Sequence, residues 1–169
     1  LDQKRWGVYS HESGSEHYLL DGVDLPVEAP HSHRFNLTPE EFEEAGSRVL
    51  VWGSEAGVHM AVSDDEARFV FFQGHPEYDP ISLLKEYKRE IARFVDGARA
   101  DYPPFPEHYF SKTERVLLDR YRRDTVEALR KGDGIPQFPE SAISISTDRS
   151  WTKAGKQMFR NWLSEVDAR

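Results

Sequence analysis

The stretch Phe69-Val70-Phe71-Phe72-Gln73-Gly74-His75-Pro76-Glu77-Tyr78-Asp79 decides how this chain is read. Four consecutive aromatic or β-branched residues predict a buried strand, and Gly74 ends it. Glycine permits a sharp exit, proline fixes one backbone angle, and the turn then presents His75 and Glu77 two positions apart. A histidine beside a carboxylate is the layout of a general base and its orienter. The imidazole takes a proton from a nucleophile while the acid holds the other ring nitrogen in the useful tautomer. The bland reading is a loop histidine bonded to an acid for structural reasons alone; the strand-Gly-His-Pro-Glu context favours the catalytic one. Cysteine is absent from all 169 residues, so a cysteine nucleophile served by this loop must come from outside this chain.

Working outward, apolar runs at 48–52, 58–62 and 68–72 read as a meander of three strands, separated by turn residues. Upstream, 6–9 and 18–20 are short strand candidates, and 22–29 reads as an irregular acidic connection leading to Pro30-His31-Ser32-His33-Arg34. Thr38-Pro39-Glu40-Glu41 predicts a capped helix that Gly46 closes. Beyond the His75 loop the period changes from two to about 3.6. Ile81, Leu84, Tyr87 or Lys88, Ile91, Phe94 or Val95, and Ala98 mark an amphipathic helix, broken by Tyr102-Pro-Pro-Phe-Pro106. Ser111-Lys-Thr-Glu114 opens a second helix closed by Gly132, with Leu118, Tyr121, Thr125 and Leu129 as its buried stripe. Residues 133–149 read as loop, and Trp151, Met158 or Phe159, Trp162 and Val166 mark a final helix. Strands alternating with helices, and a loop bearing chemistry at the carboxyl end of a strand, predict an α/β protein whose site lies at that sheet edge.

A chain of this size, 38% hydrophobic and 12% aromatic, can bury a core as one domain spanning 1–169. The net charge of -8 argues against nucleic acid and anionic membrane as partners. No apolar run approaches the roughly 18 residues of a spanning helix, and a cytoplasmic protein is the default expectation. Leu1 stands where an intact reading frame has methionine, so a cut or truncated start is expected. His31 and His33 form a His-x-His triplet that could chelate a metal, but without a third ligand at a fitting spacing a polar loop lining a cleft is the preferred reading, and no metal is expected. Glu86 and Arg89 suit a surface ion pair, although an arginine near the loop also suits bidentate capture of a carboxylate. Lys4 alone carries no signal.

In order along the chain, Gly7-Val8-Tyr9-Ser10-His11, Leu19-Leu20-Asp21-Gly22-Val23-Asp24, Pro30-His31-Ser32, Glu55-Ala56-Gly57-Val58, Gly74-His75-Pro76-Glu77-Tyr78-Asp79, Glu86-Tyr87-Lys88-Arg89, Tyr109-Phe110, Trp151 and Phe159-Arg160-Asn161-Trp162-Leu163 resemble homoserine O-acyltransferases of the homoserine trans-succinylase type. The resemblance implies a class I glutamine amidotransferase-like, flavodoxin-like α/β sandwich, of which this chain is the C-terminal portion with extra C-terminal helices. It implies ping-pong acyl transfer through a cysteine acyl-enzyme, with acyl-CoA as cosubstrate and no other cofactor. It makes His75 the general base and Glu77 its orienter, and assigns Lys4, Ser32 and Arg89 to substrate binding. The implied partner is an N-terminal half carrying the cysteine, in a complete enzyme that forms a homo-oligomer. His33 departs from the family's arginine after Pro-His-Ser, which leaves the acceptor open between homoserine, serine and another hydroxy compound. Succinyl and acetyl donors stay open, as does the role of 112–145, which is longer and more helical than expected. Two other readings stand beside this one: a non-catalytic amino-acid-binding or partner-binding module, and a glutamine amidotransferase-like subunit.

Overall fold

A computed structural model describes residues 4–65, 68–145 and 150–167. It is an α/β structure that divides into two compact units, 1–79 with 148–169, and 80–147. The first unit holds the five strands found among the described residues. β1 (Arg5–His11) pairs antiparallel with β2 (Val27–His33), and β3 (Ser47–Gly53), β4 (Gly57–Ser63) and β5 (Val70–Phe72) form an antiparallel meander in that order. A two-way backbone bridge between Glu12 and Trp52, at 2.8 and 3.0 Å, links the sheets.

Two expectations upstream of the meander are corrected. Residues 18–20 form a single 3-10 turn, because the His17 ring accepts from the Leu19 amide and starts a turn where a strand would need an extended partner. Residues 27–33 are strand, not loop. Pro30 survives inside β2 because its carbonyl points away from β1, where it accepts from the His75 amide at 2.7 Å. In a strand a residue's nitrogen and carbonyl face the same side, so the proline sits where no ladder donor is lost.

Helix α1 (Pro39–Glu44) carries the expected capping box between Thr38 and Glu41. It lays Phe42 on Val58 and Ala61. The final helix α4 (Ser150–Asp167), numbered last in chain order, contributes Ala154 and Met158 to the main core of Leu19, Val27, Leu50, Val51, Met60 and Val62. Met158 is the inward residue of the Met158/Phe159 pair, and Phe159 is exposed. Strand β4 is buried from Val58 to Val62, so it forms the middle of this unit.

The second unit is helical. Helix α2 (Ser82–Val95) buries Leu84, Tyr87 and Ile91, and α3 (Lys112–Lys131) buries Leu118, Tyr121 and Thr125. Ala128 replaces Leu129 in the α3 stripe, and Ile81 lies outside α2 and exposed. Ser111 and Glu114 form the expected box, and Gly132 closes α3 in the left-handed region at φ 73°. Tyr87 packs against Phe105 and Phe110, so the proline-rich breaker supplies core aromatics. Among the described residues, no helix is long and apolar enough to cross a membrane.

Asn161, within the Asn-Trp-Leu piece of α4, donates to the carbonyls of Leu19 and Asp21 at 3.0 and 2.8 Å. Removing this donor leaves the part-buried Leu19 carbonyl without it while water reaches that of Asp21, so Asn161→Ala should cost about 1 kcal/mol. Urea unfolding followed by circular dichroism measures this as a lower midpoint at unchanged slope.

Candidate active site

The site grows from the end of β5. Gln73 anchors it first: its side chain exchanges two bonds with the Leu37 backbone, at 2.8 and 3.0 Å, and donates to the Val58 carbonyl at 3.2 Å. Gly74 follows in a space that admits no side chain. A Cβ there would lie 2.5 Å from His59 Nδ1 and 2.7 Å from His31 Nε2, both on fully buried rings. The chain then docks on β2 through the His75 amide and the Pro30 carbonyl.

His75 Nδ1 meets Glu77 Oε1 at 2.8 Å. A carboxylate only accepts, so Nδ1 carries the proton and neutral His75 keeps a lone pair at Nε2. The ring stacks on Tyr78, with centroids 4.2 Å apart and planes 14° from parallel. Tyr78 is held in turn, its carbonyl accepting from the Trp151 indole at 2.8 Å. Further along α4, Gly155 passes so close to Pro76 that a Cβ would come within 2.9 Å. One helix thus braces the loop at two points, and the imidazole is fixed in tautomer and orientation while staying half-buried, the condition a general base needs.

Lys4 and Ser32 lie with this loop in the first unit. Lys4 Nζ sits 4.7 Å over the Trp6 ring, and Trp6 is the register partner of Ser32, so alternation places Lys4, Trp6 and Ser32 on one face of the β1–β2 ribbon. Arg89 is exposed on α2 in the second unit. The arginine pairs seen on that helix belong to Glu90, with Arg99 at 3.0 Å and Arg93 at 3.5 Å.

The opposite face of the ribbon carries a feature the sequence reading missed. His33 Nδ1 donates to the Phe35 carbonyl at 2.5 Å, so in the neutral chain His33 Nε2 accepts from His31 Nδ1 at 2.9 Å. His31 Nε2 then accepts from His11 Nε2 at 3.1 Å. His59 completes the group, its ring 5.0 Å from that of His11 and its Nδ1 buried without a hydrogen bond. His31 and His33 are therefore not the free polar loop expected but links in a one-way chain on a strand. The signal was register: His31 stands opposite Gly7, four places from His11, once β1 and β2 are paired. No signal in the sequence pointed to His59.

Burial keeps these rings neutral. It pushes His31 down from 6.5 to about 2, with the neighbouring imidazoles His11, His59, His33 and His75 adding to the effect. It pushes His59 down to about 3, with His11 and His75 adding. His11 and His33 are lowered for the same first reason, opposed by nearby backbone groups. Unfolded histidines take up protons below about pH 6.5 while these stay neutral. Stability is therefore complete above that pH and is lost as pH falls toward 3, at up to about 1.4 kcal/mol per pH unit for each ring. His59→Gln, which does not titrate, should flatten the acid limb of a stability profile followed by circular dichroism; an unchanged limb would contradict this account. Gly74→Ala should destabilise at neutral pH by about 1–3 kcal/mol through overpacking against rigid rings, read from a urea midpoint.

The chain can now be set beside known proteins. The family model described as homoserine O-succinyltransferase matches residues 1–168. The homoserine O-succinyltransferase of Methylococcus capsulatus is 48% identical over 98% of this chain and 47% of its own length. That of Thiothrix nivea is 46% identical over 98% of this chain and 46% of its own length. A more distant relative of the same name, from Cardiobacterium hominis, is 39% identical over 98% of the chain and 45% of its own length. The chain thus spans about half the length of the curated relatives it matches. With this match running nearly from end to end, the chain belongs to the homoserine O-succinyltransferase family.

Proposed function

We propose that this chain supplies the His-Glu part of the catalytic triad and the acceptor pocket of a homoserine O-acyltransferase. The observation that carries the reading is the 2.8 Å His75–Glu77 pair at the end of β5, in a chain of this family. The thiol comes from the half of the family's length that these residues do not span, which the resemblance places N-terminal to them. Its strands complete a flavodoxin-like, glutamine amidotransferase-like sheet. The relatives' shared name favours succinyl-CoA over acetyl-CoA as donor and homoserine as acceptor.

The chemistry runs in two halves. His75 Nε2 takes the proton of the cysteine thiol, and the thiolate attacks the thioester carbonyl of the acyl-CoA. The carbon–sulfur bond to CoA breaks, His75 returns the proton to the departing CoA thiolate, and the acyl group stays on cysteine. Homoserine's hydroxyl then gives its proton to His75 Nε2 and attacks the new thioester. Cysteine leaves as thiolate and recovers that proton from His75. Glu77 stabilises the imidazolium at both stages and holds the tautomer. Arg89 binds the acceptor's carboxylate, and Lys4 and Ser32 line the substrate pocket. The enzyme is expected in the cytoplasm, as a homo-oligomer when complete.

In an assembly of this chain with a cysteine-bearing N-terminal half, His75→Ala should lower acyl transfer by about 10²–10⁴. Unchanged transfer would remove His75 from the role of base. Arg89→Lys, which loses the bidentate fork, should raise KM for homoserine more than it lowers kcat. The absence of cysteine also motivates a binding-only module; a thioester adduct found by mass spectrometry on the associated half excludes it.

A further inference from the structure

Two fully buried imidazoles, those of His11 and His31, separate two glycines at strand ends in the first unit. Gly53 closes β3, and a Cβ there would come 3.1 Å from His11 Cδ2. Gly74 stands two residues past β5, and its Cβ would come 2.7 and 3.1 Å from His31 Nε2 and Cδ2. Between the glycines the two rings stack, with centroids 5.0 Å apart and planes 15° from parallel. Gly53, His11, His31 and Gly74 therefore form one close-packed series, in which the flat rings are a spacer of fixed thickness. His75 is the next residue along the chain.

His31 is also pinned against rotation. Its Nδ1 donates to His33 Nε2 at 2.9 Å and its Nε2 accepts from His11 Nε2 at 3.1 Å, so turning the ring breaks both bonds. The Tyr9 ring meets it at 86°, with 5.8 Å between centroids. The direction of donation is set at the half-buried end, where the Phe35 carbonyl takes the His33 Nδ1 proton and leaves His33 Nε2 to accept. His33 thereby assigns His31 its tautomer. His31 reaches the base by two routes. Its ring edge limits how far Gly74 can sink, and the carbonyl of the residue before it, Pro30, holds the His75 amide at 2.7 Å. A branched aliphatic side chain of similar volume would fill the space, but it is thicker than the flat ring and makes neither bond.

We infer that His31 is a positioning residue for His75, its own orientation set by His33, and that the pair places the base for acyl transfer without touching substrate. This rests on the reading given under Proposed function. Glu77 orients the imidazole from within its own loop, two positions away. His31 decides where that loop stands against the β1–β2 ribbon. An error of placement acts on the chemical step, because a shift of about 1 Å can cost about a hundredfold in rate.

The test uses the assembly of this chain with a cysteine-bearing N-terminal half for kinetics, and this chain alone for amide exchange. His31→Leu should lower kcat about 10–100-fold while KM for homoserine changes by less than about threefold. His31→Gln, whose amide oxygen still accepts from His11 beside Gly74, should recover most of that loss. His33→Ala, at a half-buried strand end, should fold and lower kcat about three- to tenfold, which keeps the inference open to test if His31→Leu does not fold. In the chain alone, exchange at the His75 amide relative to the Leu50 amide of β3 should speed about tenfold or more in His31→Leu and His33→Ala, and stay near its original rate in His31→Gln. Unchanged kcat in His31→Leu or His33→Ala, a loss that His31→Gln does not recover, or unchanged relative exchange at His75 would each overturn the inference. Acyl transfer that needs His75 but not His31 would do so while leaving the enzymatic reading in place. Faster exchange at His75 with no acyl transfer in the unsubstituted assembly would sink the enzymatic reading and leave the placement of the loop by His31 standing.

Discussion

The hydrogen bond from the His75 amide to the Pro30 carbonyl, 2.7 Å long, is the constraint on which the site depends. It joins the end of the meander to the outer edge of the β1–β2 ribbon, and it does so at the residue whose own nitrogen needs no partner. Gly74 can make the approach only because it has no side chain, with two buried imidazoles where a Cβ would be. Residues on each side follow from this contact: Gln73 is fixed to Leu37 and Val58 before it, and Tyr78 to Trp151 after it. The base is thus held by backbone and packing first, and by its carboxylate second.

That arrangement places a fixed, neutral polar layer behind the loop. The chain from Phe35 through His33 and His31 to His11 satisfies five ring nitrogens with one direction of donation, and burial keeps the rings uncharged. Buried imidazoles in this state present dipoles instead of charges toward the space near His75. A cation there would repel an imidazolium formed on His75, whereas neutral rings leave Glu77 as the near partner of its charge. The cost is borne by the fold at low pH.

Most of the local elements were legible because their signals are local. The capping boxes at Thr38 and Ser111, the αL glycine at 132 and the 3.6 period of α2 to α4 are decided by neighbours within a few residues. The His75–Glu77 pair was legible for the same reason, two positions apart across a proline. What failed were judgements that depend on remote partners. The strand at 27–33 carries a proline and four polar side chains, and only pairing with 5–11 makes it extended. The composition of 69–72 is that of a buried core strand, yet among the described residues the sheet offers it a neighbour on one side only.

The sequence by itself determined the chemistry available: a histidine and an acid on one short loop, no thiol, and an ordered series of motifs shared with one family. These are matters of residue identity and spacing along the chain. The tertiary structure alone decided that His11, His31, His33 and His59 form one neutral group behind that loop, that Lys4 and Ser32 share a face of the ribbon, and that β5 ends the sheet with its aromatics exposed. The physical reason is that burial and strand register belong to pairs of segments far apart in sequence, and no single segment carries the information about which neighbour it will meet.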